Sequence, residues 1–294
     1  MTKQEFFTRC AAGPLLLDGA TGSNLMKASM PRGVCTEQWI CDHPEALLAL
    51  QREYVAAGSD ILYAPTFSAN RHSLRRHGLE GQVASLNRRL VALSRQAAAG
   101  RALVAGDLTT TGEPLEPLGG MSYSQLFAIY EEQITALLEA EVDLLVVETM
   151  LSVEETVVAL EAARSLCDLP VMCSLTVQAD GKAYFGGDCV EAVQTFSELG
   201  AAAAGINCSC GPEQLNALVR NMKAATSVPL LVKPNAGMPQ INDLGEAVYS
   251  MGAEEFAACM QTLLELGANV IGGCCGTDPS FIAALNRLRN TEKA

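Results

Sequence analysis

Eight short apolar runs, each followed by polar or glycine residues, are the feature that most limits the fold of this 294-residue chain. Strands that are buried on both faces form near-continuous apolar runs, and their functional groups lie at the carboxyl ends. We therefore expect eight buried parallel strands. The runs cover residues 15–20, 61–66, 102–108, 144–150, 171–177, 203–209, 230–236 and 270–276.

Amphipathic segments between these runs predict helices. The segment from His43 to Ala57 has Asp42 as a candidate N-cap and Gly58 as a candidate stop. Asp278-Pro279 marks a further helix start. Apolar residues recur at helical spacing in residues 124–140, 191–199 and 254–266. Strands alternating with helices predict an α/β fold, a single (β/α)8 TIM barrel domain over residues 1–294, with an open doubly wound sheet as the alternative.

The charge balance narrows the class of partner. The chain has 20 Lys and Arg against 33 Asp and Glu, a net charge of −13, so we expect no nucleic acid or anionic membrane partner. No segment approaches the roughly 20 apolar residues of a membrane-spanning helix, and the charged N-terminus does not resemble a signal peptide. The 11 cysteines are scattered and odd in number, unlike a secreted disulfide framework, so we expect a cytoplasmic protein.

Three cysteines at two predicted strand ends form a candidate metal site. Cys208 follows the sixth run, while Cys274 and Cys275 follow the eighth between glycines. Neighbouring residues of a strand point to opposite faces, so we expect glycine backbone freedom to turn both sulfurs toward one point. Three thiolates with an open fourth position are typical of catalytic zinc. The alternatives are buried packing cysteines, or a structural site closed by Cys210.

Several motifs together resemble the zinc-dependent homocysteine S-methyltransferase family over essentially the whole chain. The most specific are the Gly-Gly-Cys-Cys-Gly segment and the distant Asn-Cys pair. Pro234–Gly237 is most similar to the homocysteine-binding module of cobalamin-dependent methionine synthase. The full set is Asp18–Gly22, Glu148-Thr149, Gly205–Cys208, Lys233–Gly237 and Gly272–Thr277.

The resemblance implies a (β/α)8 barrel in which Cys208, Cys274 and Cys275 ligate Zn²⁺ at the C-terminal mouth. The zinc would activate homocysteine as a metal-bound thiolate, which is then methylated to methionine. The ligand chemistry agrees, because metal binding releases the thiol proton and three cysteinates leave the fourth sulfur electron-rich. Such a site favours alkyl transfer over hydrolysis.

The same resemblance implies residues that bind the amino-acid end of homocysteine. Glu148 would accept its ammonium, with Asp18, Gly19 and Ala20 around the amino-acid end and backbone N–H groups receiving the carboxylate. Asn235 would place its oxygen on zinc when homocysteine is absent. Each has a structural alternative: a capping acid for Glu148, and ordinary turns for Asp18-Gly19 and Asn235.

The methyl donor is the least constrained part of the prediction. The resemblance covers the homocysteine module alone, without the folate, cobalamin or reactivation domains of full-length cobalamin-dependent methionine synthase. We therefore expect methylcobalamin on a separate corrinoid protein to supply the methyl group. A stand-alone enzyme that uses S-methylmethionine or betaine is the alternative. A non-catalytic zinc-binding scaffold or regulatory subunit is the alternative of another class.

Overall fold

The computed structural model describes residues 1–242 and 247–291, and its central element is a parallel sheet of eight strands. These strands are short and apolar, as expected for segments that are covered on both faces. They are β1 Leu15–Leu16, β2 Ile61–Tyr63, β3 Leu103–Leu108, β4 Leu144–Met150, β5 Val171–Leu175, β6 Ala203–Asn207, β7 Leu230–Lys233 and, after a short hairpin, β10 Ala268–Ile271. The hairpin pairs β8 Gln240–Ile241 with β9 Ala247–Val248 in antiparallel register.

The sheet closes into a barrel. Its strand order is β1-β10-β7-β6-β5-β4-β3-β2, and each pair of neighbours in this order is parallel. A further parallel bridge between Leu17 and Ile61 joins the two end strands. The predicted (β/α)8 barrel is therefore confirmed, and the open doubly wound sheet is wrong. All carboxyl ends of the strands consequently meet at one mouth.

Helices surround the barrel and connect successive strands. Four helices precede β2: α1 Lys3–Ala11, α2 Gly22–Lys27, α3 Thr36–Asp42 and α4 Pro44–Ala57. The remainder are α5 Arg71–Leu74, α6 Val83–Ala98, α7 Tyr123–Glu139, α8 Val153–Leu166, α9 Cys189–Glu198, α10 Asn216–Ala225, α11 Ala253–Glu265 and α12 Pro279–Thr291. Short 3-10 turns cover Arg75–His77, Glu80–Gln82 and Pro212–Gln214. None of the described helices is both long enough and apolar enough to cross a membrane.

The predicted helices are present, with one correction at an end. Gly58 ends α4 in the left-handed conformation, at φ 109°, as predicted. Asp42 is not the N-cap of α4, because it is the last residue of α3 and His43 holds the capping position instead. The backbone turns at His43, and Pro44 then occupies the first helical position, where its missing N–H costs nothing.

Alternate strand residues divide the core into two layers. Leu144 and Val146 of β4 belong to a cluster inside the barrel, while Leu145 and Val147 belong to the layer under the helices. Side chains of a strand alternate between faces, so this division follows directly from the sequence period of two. Polar groups therefore collect beyond the apolar part of each strand, at the mouth.

The N-terminal helix α1 closes the other end of the barrel interior. Its Phe6 and Cys10 belong to the interior cluster. Lys3 Nζ donates to the carbonyl of Gly200, which precedes β6. A capping box between Thr2 and Glu5 fixes where the helix begins.

Candidate active site

The carboxyl ends of seven barrel strands surround a cavity of about 400 Å³ at the mouth. A cavity of this size is in the range that small-molecule ligands occupy. Polar groups from different strands line its floor, and the loops above contribute apolar residues. The floor residues are Asp18, Tyr63, Asp107, Glu148, Cys208, Lys233, Cys274 and Cys275.

The three predicted metal ligands come together. The sulfur atoms of Cys208, Cys274 and Cys275 all lie within 4.8 Å of one another. The Sγ atoms of Cys208 and Cys275 are 3.4 Å apart. Two sulfurs on one tetrahedral zinc, each about 2.3 Å from the metal, are separated by about 3.8 Å. The geometry and the soft donors of this cluster therefore fit a zinc ion with one position left open.

Cys210 lies outside this cluster, so the structural four-cysteine alternative has no support. It packs among the apolar residues of the main core, and burial raises the pKa of its thiol to about 11. Within the cluster, the thiols of Cys208 and Cys274 hydrogen-bond to Cys275 and lower its pKa. This lowering sets Cys275 apart from Cys210, whose thiol pKa is raised by burial.

A tight turn, not a strand, lets Cys274 and Cys275 face the same point. The strand β10 ends at Ile271, and the N–H of Thr277 donates to the carbonyl of Cys274. Gly276 occupies the turn position that needs a positive φ, at 84°. Gly272 does not have a positive φ, contrary to our expectation of unusual backbone angles at these glycines. An added Cβ there would lie 2.7 Å from the Cβ of Leu17, so close packing is what requires glycine.

Asn235 joins the two segments that carry the cysteines. The strand β7 lies between β6 and β10, so the loop after β7 adjoins both. Asn235 Nδ2 donates to the carbonyl of Cys208 (3.0 Å), and its Oδ1 accepts from the N–H of Cys275 (3.1 Å). Its side chain is therefore a bridge between the ligand loops. That Oδ1 also ligates zinc stays a prediction.

A buried lysine pairs with the two predicted substrate carboxylates. Lys233 Nζ lies 3.8 Å from Asp18 Oδ1 and 3.9 Å from Glu148 Oε2, and it stands 4.8 Å from the centre of the Tyr63 ring. Burial raises the pKa of Asp18 and of Glu148 to about 7, although Lys233 opposes this shift. The pKa of Lys233 is raised by Glu148 and Asp18 in spite of burial, so the lysine is charged.

Asp107 is a third carboxylate in the cavity, at the end of β3. It is only 4% exposed, and its Oδ1 is buried without a hydrogen-bond partner among the described residues. Burial and then the charge of Glu148 raise its pKa well above the usual range. The hydroxyl of Tyr63 is also buried, and it has no hydrogen-bond partner in the described part of the chain. The floor therefore holds polar groups that no described group satisfies.

Asn207 organises the floor between the carboxylates and the cysteines. Its Nδ2 donates to Glu148 Oε2 (3.2 Å) and Thr149 Oγ1 (2.7 Å), and its Oδ1 accepts from the N–H of Thr149 (2.8 Å). Thr149 and Cys208 both have positive φ, at 56° and 55°. Positive φ at non-glycine residues is strained and gathers at functional sites, and the two bonds between Asn207 and Thr149 help to hold Thr149 in this conformation.

The segment after β1 lines the cavity, with one difference from the expected roles. Gly19 and Ala20 both line it, as predicted. The N–H of Ala20, however, donates to Thr277 Oγ1 at 3.2 Å, so it already has an acceptor. An added Cβ on Gly19 would lie 2.6 Å from the hydroxyl of Tyr54, which explains the glycine by close packing. Their contact with a substrate carboxylate stays a prediction.

Sequence reasoning assigned no role to Lys233, Asp107 or the Tyr63 hydroxyl. All three end apolar runs, which is the signal that identified Glu148. What the sequence could not reveal is which of these groups pair, because the pairs join different strands across the barrel.

Comparison with known proteins agrees with this arrangement. The chain is 28% identical to methionine synthase of Mycobacterium leprae over 289 residues and to that of Mycobacterium tuberculosis over 298. These stretches cover 90% and 94% of this chain, but only 23% and 25% of the relatives, so the chain spans about a quarter of their length.

The fold also matches crystal structures of the homocysteine methyltransferase MmuM from Escherichia coli. Its oxidized form gives a TM-score of 0.78 and its metallated form 0.77, each at 24% identity over 94% of this chain and 96% of the other. A family model for homocysteine S-methyltransferase matches residues 15–288. This chain therefore belongs to the homocysteine S-methyltransferase family, as its motifs predicted.

Proposed function

We propose that this protein is a zinc-dependent S-methyltransferase that converts homocysteine to methionine. The observation that carries the proposal is the cluster of three sulfurs within 4.8 Å, set in the same cavity as the buried carboxylates. A thiol that enters the open metal position would have its amino-acid end among those carboxylates. A cytoplasmic location is part of the proposal, because a three-thiolate site needs a reducing compartment.

Cys208, Cys274 and Cys275 are the residues that would hold zinc. When bound, the ion would supply the Lewis acidity that makes an incoming thiol ionise near neutral pH. Asn235 and Asn207 fix the loops that carry these cysteines, through the hydrogen bonds described above. This support keeps the three sulfurs converged before substrate arrives.

The cavity residues would bind and orient the amino acid. Glu148, Asp18 and Asp107 offer carboxylate oxygens to the substrate ammonium, and Lys233 offsets part of their charge. In the transfer, the thiol loses its proton and a sulfur–methyl bond forms. The bond between the methyl group and its carrier breaks, and the carrier keeps the electron pair. Holding the acceptor sulfur in place for this displacement is the contribution of the protein.

For the donor, we infer methylcobalamin on a separate corrinoid protein. Its support is the similarity of Pro234–Gly237 to the cobalamin-dependent branch, together with relatives named methionine synthase. In that reaction methylcobalamin would leave as cob(I)alamin. S-methylmethionine or betaine is the second candidate, favoured by a fold match to a stand-alone homocysteine methyltransferase.

A donor screen tests both levels of the proposal. Zinc-loaded protein is given homocysteine with methylcobalamin, S-methylmethionine or betaine, and methionine is measured. Methionine from methylcobalamin is expected, and turnover with only a small donor would overturn the corrinoid assignment. Zinc X-ray absorption is measured in parallel. No turnover with any donor, and no added sulfur neighbour on homocysteine addition, would favour the non-catalytic scaffold.

A further inference from the structure

Tyr249 lies beside the turn that carries Cys274 and Cys275, although it belongs to a separate segment of the chain. It directly follows β9, is half-buried and packs against the main core. Two backbone hydrogen bonds in series join its segment to the turn. The N–H of Met251 donates to the carbonyl of Ala236 at 3.4 Å. The N–H of Ala236 in turn donates to the carbonyl of Cys275 at 2.9 Å. The backbone therefore holds Tyr249 close to this cysteine.

The side chain of Tyr249 reaches the sulfur of Cys275. Its ring lies against Gly276, where an added Cβ would come within 2.7 Å of the Cβ, Cγ and Cδ2 atoms of the tyrosine. The ring therefore fills the space that the glycine leaves. The hydroxyl of Tyr249 forms a hydrogen bond with Cys275 Sγ. Burial and then the charge of Cys275 raise the pKa of this hydroxyl, so the oxygen keeps its proton and is the donor.

Metal binding changes the other hydrogen bonds of this sulfur. Without metal, the thiols of Cys208 and Cys274 also hydrogen-bond to Cys275. Both thiols release their protons when they ligate zinc, so they stop being donors. The hydroxyl of Tyr249 keeps its proton, and its bond to Cys275 persists. Groups that hydrogen-bond to a metal ligand orient that ligand and tune the metal.

We propose that Tyr249 is a positioning residue of the metal centre, whose hydroxyl orients the sulfur of Cys275 and withdraws electron density from it. This role rests on the function proposed above, since it takes zinc as the metal. Three cysteinates and a substrate thiolate place four negative charges around a dication. A hydrogen bond to an anionic sulfur is a strong one, so the hydroxyl offsets part of this excess charge.

Tyr249→Phe tests the role, because it keeps the ring over Gly276 and removes only the hydroxyl. Zinc affinity, measured by competition with a chelator, should fall by about 10- to 100-fold, as for other groups that orient ligands. With Co²⁺ in place of zinc, the sulfur-to-metal charge-transfer band should move to longer wavelength, because a sulfur without the donor gives up an electron more easily. Tyr184→Phe, at a residue that is 56% exposed, is the matched control and should change neither quantity.

Tyr249→Leu separates the ring from the hydroxyl. If packing of the ring alone matters, the phenylalanine variant will match the original chain in zinc affinity and in band position, and only the leucine variant will lose zinc. That result would overturn the proposed role of the hydroxyl and leave the proposed function intact. If the original chain itself retains no zinc, the proposed function fails and this role fails with it. The two failures are distinguishable because only the second is seen without any substitution.

Discussion

Replacing Asn235 separates its bridging role from a role as metal ligand. Asn235→Ala removes the bonds to the Cys208 carbonyl and from the Cys275 N–H, at a residue only 3% exposed. Each bond contributes about 1 kcal/mol net, and buried groups left unpaired add about 1–3 kcal/mol. We expect a loss of about 2–4 kcal/mol in the free energy of unfolding. Zinc affinity should fall by about 10- to 100-fold, as for other residues that orient ligands.

Asn235→Asp is the decisive variant. The aspartate keeps an oxygen that can accept from the N–H of Cys275. Its second oxygen, however, faces the carbonyl of Cys208, so the hydrogen bond that Asn235 Nδ2 donates there is replaced by repulsion between two oxygens. If Asn235 is a bridge, the aspartate variant should lose zinc affinity at least as strongly as alanine. If its oxygen is a zinc ligand, a carboxylate should hold zinc as well or better, since aspartate is itself a zinc ligand.

Zinc affinity is measured by competition with a chelator, and stability of the metal-free protein by urea unfolding. Asn221→Ala, on the exposed face of α10, is the control and should change neither quantity appreciably. An aspartate variant that retains original zinc affinity beside an alanine variant that loses it would refute the bridging explanation.

Three further predictions concern the metal, the substrate and pH. Cys274→Ala and Cys275→Ala should abolish zinc retention, as measured by metal analysis. Both variants should keep the circular dichroism spectrum of the barrel, because the turn that carries these cysteines lies beyond β10. Cys259→Ala on α11 is the control and should retain zinc. Glu148→Ala should weaken homocysteine binding, measured by calorimetry, by about 1.5–3 kcal/mol and should retain zinc. Loss of the metal from this variant would contradict a substrate-binding role for Glu148. The thiol 4-mercaptobutanoate lacks only the ammonium of homocysteine. The ratio of the affinity for homocysteine to the affinity for 4-mercaptobutanoate should fall to about a tenth between pH 8 and pH 6. Glu148 has a pKa raised to about 7 by burial, so it gains a proton and loses its charge as the pH falls through that value. Both thiols lose the same proton on zinc, so the ratio isolates the carboxylates, and a ratio constant with pH would count against them.

The apolar runs were sufficient to predict the barrel and which residues reach its mouth. They overestimated the length of the strands, because hydrogen-bonded pairing between strands stops before the apolar run ends. The first run covers residues 15–20, but β1 is only Leu15–Leu16, and Asp18 already lies beyond it. That early stop is what frees the polar residue to face the cavity.

The interactions within the site were beyond the sequence pattern. The partners of Asn235 are 27 and 40 residues away, so its local surroundings, a proline and a glycine, indicated only a turn. The charge pairs of Lys233 join it to residues of the first and fourth strands. The strand-end positions of the cysteines identified the candidate metal site and family resemblance identified a role for Glu148, but neither showed that Lys233 pairs with this carboxylate.

The plug that α1 forms at the base of the barrel has a kinetic consequence. Phe6 and Cys10 fill that end, so the chamber above is a dead end, with the cysteines and acids at its bottom. With the proposed corrinoid protein as methyl donor, an acceptor in this chamber must arrive before the carrier covers the entrance, and the methylated product must depart by the same route. Turnover is thus expected to follow a compulsory order, with the carrier as the last to arrive and the first to leave.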